Sequence, residues 1–218
     1  MKAREIRETQ LVANLRADRS RFDWPGWSLA FLVCSFIGWV FETTAVWRDT
    51  GHFTTRGYLT ILHPLGLYIP AVKDDPVIGH LPVVLGLPLI EMYGFGAVII
   101  LLTLHSQRTH PVRIFCIGLV MMTMFELVSS YVCTYVVHRE FWNYSTDFLN
   151  FQGRICLRSS IAWGVLSMFT IEILDPFLDR IYAHEKGRKY FHALMIVLMT
   201  YAAFCAVLKY WVAPGLFP

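Results

Sequence analysis

With 218 residues, 56% of them hydrophobic and only 16% charged, the chain has too little polar surface to cover a water-facing globule, for which about 25% charge is usual. The same figures exclude a disordered segment, a collagen-like fibre and a small disulfide scaffold, and the mean hydropathy of +0.48 points to an integral membrane protein. The net charge of +3 sits at the ends of apolar runs rather than in one aromatic-laced patch, so nothing indicates nucleic acid.

Residues 1–23 are polar and basic, carrying Lys2, Arg4, Arg7, Arg16, Arg19 and Arg21 against Glu5, Glu8, Asp18 and Asp23. The spacing of Ile6, Leu11 and Leu15 predicts a short surface helix, and no apolar core follows that would make a signal peptide. Pro25-Gly26 then opens a single transmembrane region over 24–218. The expected fold is all-α, a polytopic bundle of about five spans, each near the ~20 residues that cross a hydrocarbon core. These are 27–47, flanked by tryptophans; 81–104, broken by Pro82, Gly86 and Pro88 and carrying Glu91; 114–137, with Glu126; 155–174, with Arg158 at its start; and 191–208, where Ala202 and Ala206 offer a small-residue face. The stretch 61–72, interrupted by Pro64, Gly66 and Pro70, is too short and too broken to span, so it reads as re-entrant or interfacial. A sixth span through this stretch is the alternative. Lys73-Asp74-Asp75-Pro76 is a turn in water.

Counting Lys and Arg by side gives 12 against 7 in favour of a cytoplasmic N-terminus and an extracytoplasmic C-terminus. A charge at the bilayer centre costs about 2.5–3.5 kcal/mol on insertion scales, so the buried carboxylates need a reason. Glu126 falls at the midpoint of its span, and Glu42 lies about 7.5 Å beyond the centre of the first at ~1.5 Å per residue. Glu91 is near mid-depth on a broken segment. With Arg56 and Arg154 approaching from outside, the economical arrangement is an outward-open cluster of carboxylates and arginines. The alternatives are a bracing ion pair without chemistry and contact with lipid headgroups. Phe141, Trp142, Tyr144, Phe148 and Phe151 form either an interfacial belt or a lid.

Five cysteines (Cys34, Cys116, Cys133, Cys156, Cys205) include no CxxC pair and read as buried fillers, and Met121, Met122, Met124, Met195 and Met199 as packing residues. No P-loop, GxSxG or HExxH motif occurs and no histidines stand at i, i+4, so no metal or cofactor is expected. Asn143-Tyr144-Ser145 is formally a glycosylation sequon.

The series Gly38-Trp39 with Glu42, Arg56-Gly57-Tyr58-Leu59, Tyr93-Gly94-Phe95-Gly96-Ala97 and Phe125-Glu126 resembles a bacterial membrane family, the putative ABC-transporter type IV or CmpB-like permeases. So do Trp142-Asn143-Tyr144-Ser145, the run from Asn150 through Gly153-Arg154-Ile155-Cys156-Leu157, and Trp163-Gly164. The resemblance covers roughly 30–175. Three departures stand out: about 25 extra residues between Thr60 and Gly86, Ile90-Glu91-Met92 where the family has Cys-Pro-Ile, and Asn143 where it often has Asp. It implies a small permease-like or substrate-capturing transport protein of the bacterial inner membrane. The residues expected to bind its ligand are Glu42, Arg56, Tyr93, Glu126, Trp142, Arg154 and Trp163. Glu42 and Glu126 would hold a cation or proton, Arg56 and Arg154 would balance them, and Trp142 and Trp163 would wall the pocket. Partners are membrane lipids, an unidentified small molecule or ion, and, if transport is ATP-driven, a separate ATPase subunit. The alternatives are an intramembrane enzyme acting on a lipid or isoprenoid and a non-catalytic assembly subunit.

Overall fold

The computed structural model describes residues 23–186, 188–213 and Gly215. Except for Asp23, the basic segment 1–23 and its expected helix lie outside them. Helix α1 is Trp24–Thr50. The Asp23 carboxylate accepts the Gly26 N–H at its start, and Gly51 ends it at φ +71°, a conformation that costs glycine nothing. After an excursion come α2 (Glu91–Leu104), α3 (Pro111–Tyr135), α4 (Leu157–Phe169), α5 (Asp175–Glu185) and α6 (Lys189–Val207). α4 runs through a π-turn at Thr170–Leu174 directly into α5. Pro176 explains the widening, because its ring displaces the carbonyl four residues back and it donates no hydrogen bond.

Among the described residues, four helices are long and apolar enough to cross a membrane: Trp24–Arg48, Pro111–Tyr135, Leu157–Glu185 and Lys189–Val212. They agree with the first, third, fourth and fifth expected spans, though the fourth continues eleven residues past its expected end at 174 because the π-turn bends it without breaking it. The second expected span is corrected. At 14 residues α2 rises only about 21 Å, less than the ~30 Å core. Pro82 and Pro88 forbid an earlier start, and residues 82–85 form a strand instead. This strand, β2 (Pro82–Leu85), pairs antiparallel with β1 (Thr60–Pro64), Thr60 opposite Leu85 and Ile61 opposite Val84. The 25 residues beyond the family pattern are thus a two-stranded hairpin with short 3-10 turns at Leu65–Leu67 and Pro70–Val72, and no sixth helical span occurs there.

The hairpin's base lies deep in the bundle. The Ile90 N–H donates to the Ser35 carbonyl (3.1 Å), near the midpoint of α1, and the Gly86 N–H to the Tyr201 hydroxyl (3.2 Å), near the midpoint of the last helix. α2 is therefore a half-helix that starts at mid-depth and runs antiparallel to α1. Two glycines make this possible: a Cβ on Gly57 (φ +67°) would strike the Leu89 carbonyl, and one on Gly86 (φ +90°) the Tyr58 carbonyl. The two passing backbones bond instead, Tyr58 N–H to Leu89 O at 3.0 Å.

At the end of the bundle where the described chain begins, Tyr182 donates to Asp23 and Trp24 packs edge-on against His192. The buried His105 Nδ1 lies 2.7 Å from Asp175 Oδ2, tying the end of α2 to α5. At the opposite end are the loops 51–90 and 136–156 and the end of α6. The core joins Leu29, Ile100, Leu101, Leu104, Ile114, Met122, Ile171 and Leu178. Outward positions such as Val112, Val120, Val128, Ile173 and Val197 are apolar and exposed, the pattern of a lipid-facing surface.

Candidate functional site

Four helices and one loop converge at the second end. Glu42 comes from α1, Tyr93 from α2, Glu126 from α3, Trp163 from α4 and Tyr144 from the loop 136–156. The Tyr93 hydroxyl donates to Glu42 Oε1 (2.8 Å), and Tyr144 donates to Glu126 Oε1 (3.0 Å). Glu42 and Glu126 interact electrostatically across the cluster, and Ser159 and Trp163 also reach Glu126. Arg56 joins at the rim, 3.9 Å from Glu42 with both side chains about one-third exposed. Glu126 is 3% exposed, and its second oxygen, Oε2, is buried with no hydrogen-bond partner. Burial together with the Glu126 and Glu42 carboxylates pushes the Tyr144 phenol above its ordinary range, so it stays a donor.

Close helix contact sets these distances. A Cβ on Gly38 would meet the Tyr93 ring, so α1 and α2 touch there, and Gly118 and Gly164 admit Ser167 and Phe115 between α3 and α4. Cys156 caps α4 by accepting the Ser159 N–H, while the Ser159 hydroxyl takes the Cys156 N–H. That box fixes the helix start beside Glu126.

Of the seven expected ligand-binding residues, Glu42, Arg56, Tyr93, Glu126 and Trp163 are brought together. Arg154 and Trp142 are not. Arg154 lies one turn further along α3, where Nη1 donates to the Ser130 carbonyl (3.2 Å), Ser130 Oγ (2.9 Å) and Thr134 Oγ1 (2.8 Å), and its guanidinium stands 4.4 Å over the Tyr131 ring. Among the described residues it makes no ion pair with Glu126, because hydroxyls and an aromatic face already satisfy it. Trp142 donates to the Arg154 carbonyl (3.0 Å) and so braces the loop rather than walling the cluster. Asn143 Oδ1 accepts the Ser145 N–H (2.8 Å), a turn bond that an aspartate would make equally well.

A second buried charge cluster was missed. Lys209, one residue past the expected fifth span, is 4% exposed in the π-turn Leu208–Val212 that ends the last helix. Its Nζ donates to the Gly57 carbonyl (3.0 Å) and stands 5.1–5.5 Å from the rings of Phe141, Tyr58 and Tyr210. Glu91, in the first turn of α2, attracts it and accepts from the Tyr210 hydroxyl. The signal was present: a mid-depth carboxylate on a broken segment needs a cation, and Lys209 is the only lysine flanked by such an apolar run. Among the described residues no group of His, Cys, Asp and Glu could hold a metal ion, and all five cysteines are free.

A half-helix starting at mid-depth, beside crossing helices that carry the buried Glu126 and the half-buried Glu42, defines a multi-pass membrane protein of transporter type. The comparison with known families agrees: the model of the family described as Putative ABC-transporter type IV matches residues 29–208, and the chain belongs to that family. No curated protein and no solved structure matches it.

Proposed function

We propose that the chain is the membrane-embedded subunit of a transporter that captures a small monovalent cation between Glu42 and Glu126, on the outer side of the membrane. The observation that carries this reading is Glu126 Oε2, buried at the meeting of four helices with Ser159 and Trp163 near the carboxylate but no hydrogen bond of normal geometry to this oxygen. A buried acceptor left open costs about 1–3 kcal/mol, more if charged, unless a donor arrives. Glu42, Glu126 and Arg56 together leave one negative charge for a ligand to neutralise. Tyr93 and Tyr144 orient the two carboxylates, and Trp163 closes the inner side. Arg154 and Trp142 hold the loop that carries Tyr144. With no P-loop in the sequence, an ATP-driven cycle takes its nucleotide chemistry from a separate ATPase subunit. The enzyme reading fares less well: both arginines needed for an anionic headgroup have other partners.

The test is equilibrium binding of methylammonium chloride to the purified protein in detergent, read by tryptophan fluorescence against sodium chloride at equal ionic strength. Saturable quenching by methylammonium, weakened at least tenfold in Glu126→Gln, is expected. A wild-type signal that neither methylammonium nor sodium changes saturably would refute the cation site.

A further inference from the structure

Beside the carboxylates, between α1, α2 and α4, lies an apolar hollow of about 40 Å³ lined by Cys34, Ile37, Ala97, Ile100, Leu166 and Phe169. Tyr93 and Trp163 line it too, their ring centroids 5.8 Å apart, and the same two side chains reach Glu42 and Glu126. Hollow and carboxylate cluster are thus adjoining parts of one site. Along the α1 face turned to α2, Ser35, Trp39, Glu42 and Thr43 stand at i, i+4, i+7 and i+8, and Ser35 Oγ, Trp39 Nε1 and Thr43 Oγ1 are buried without hydrogen-bond partners. The indole N–H can only donate and the hydroxyls can do either, so among these atoms the carboxylate oxygen Glu126 Oε2 is the one that calls for a donor.

We infer that the ligand is a primary alkylammonium with a short apolar tail: the ammonium donates to Glu126 Oε2 and neutralises the cluster, while the tail lies in the hollow. This rests on the cation-site reading above and adds the substrate class to it. A primary ammonium supplies three N–H donors, which a quaternary ammonium or an alkali ion does not. A hollow of about 40 Å³ has room for three or four carbon atoms, given that ~10–15 Å³ by this measure holds one water. Longer tails overfill it.

The experiment compares methylammonium, n-butylammonium and 1-butanol on the same protein. Three more methylenes at ~0.8 kcal/mol each make butylammonium about 50-fold tighter than methylammonium. Ala97→Leu, which fills the hollow, should bring the ratio of the two affinities to about one. Should that variant not fold, Cys34→Leu fills the same hollow from α1. Butylammonium and methylammonium binding equally would overturn the tail assignment and leave the cation site standing. Butanol matching butylammonium would also overturn it, since charge would then play no part. Failure of both amines removes the cation site itself.

Discussion

Lys209 and Glu91 offer the sharpest energetic test of the fold. Lys209→Met keeps the apolar stem and deletes the ammonium. That removes the charged hydrogen bond to Gly57 O, worth about 1.5–3 kcal/mol, and the attraction to three aromatic faces. Against this, the cost of desolvating the ammonium also disappears. What decides the sign is the partner left behind: Glu91 keeps its place at mid-depth with no cation near it. Glu91 and Lys209 attract without a contact ion pair, so the about 3–5 kcal/mol that breaking a buried pair costs is an upper bound here, whereas replacing both members is close to neutral. At roughly 2–4 °C per kcal/mol for a chain of this length, Lys209→Met should lower the unfolding midpoint in detergent by up to about 20 °C. Glu91→Gln alone strands Lys209 and should cost a similar amount. The double variant Lys209→Met/Glu91→Gln should regain most of the loss. Additive losses would refute the pairing, and an unchanged Lys209→Met midpoint would mean that the ammonium contributes nothing at this depth.

Arg154→Gln should destabilise the chain by loosening the loop on α3, and in a Tyr144→Phe background, which removes the loop's own bond to Glu126, its effect should add to that of Glu126→Gln within about 0.5 kcal/mol. A coupling energy well above that, measured as a thermal double-mutant cycle, would restore the ion pair that the geometry denies. In the hairpin, the backbone N–H groups of Ile78 and Val77 hold the Asp75 carboxyl below its ordinary range. Because the folded value is depressed, the turn is held above the unfolded carboxylate's titration and released as pH falls through the folded one. Amide exchange at Val77 and Ile78, corrected for intrinsic rate, should therefore accelerate in acid; a pH-independent protection factor would contradict it. For orientation, the Lys/Arg bias predicts that Thr146→Cys reacts with an impermeant thiol reagent in intact cells and Thr109→Cys does not, in a background lacking native cysteines. The reverse pattern would place the carboxylate site on the cytoplasmic side.

Apolar runs alone made four crossing helices legible, because composition and length decide what lipid accepts. Residues 81–104 misled for a definable reason: hydropathy does not distinguish a helix from an extended apolar segment, and only Pro82, Gly86 and Pro88 marked the difference. The site was partly legible. Glu42, Tyr93, Glu126 and Trp163 could be selected because polar groups at depth are costly, but which of them meet depends on helix rotation, which one sequence does not encode locally. Depth alone places Arg154 in the carboxylate cluster. Serine and threonine hydroxyls one turn away on α3, which look neutral in sequence, satisfy it instead. Lys209 was missed because its place near the chain end suggested solvent, although aromatics bracket it in space.

The broken segment also fixes which parts of the bundle act together. The backbone around it finds partners on other elements: Ile90 N–H on Ser35 of α1, Gly86 N–H on Tyr201 of α6, and Gly57 O on Lys209. Lipid supplies no substitute donors or acceptors, so pulling α1 or α6 away from the segment would orphan backbone groups at several kcal/mol each. α1, α2 and α6 are bound into one unit by that requirement. α3 and α4 form another, interlocked where Gly118 receives Ser167 and Gly164 receives Phe115. The contact between the units is made by side chains: apolar packing, and the buried His105–Asp175 bond that ties the end of α2 to the helix continuing from α4. Glu42 and Tyr93 stand on the first unit, Glu126 and Trp163 on the second, and the apolar hollow runs between α1, α2 and α4. Glu42 and Glu126 therefore face each other across the contact between the two units, so a cation drawing them together would act on the distance between those units.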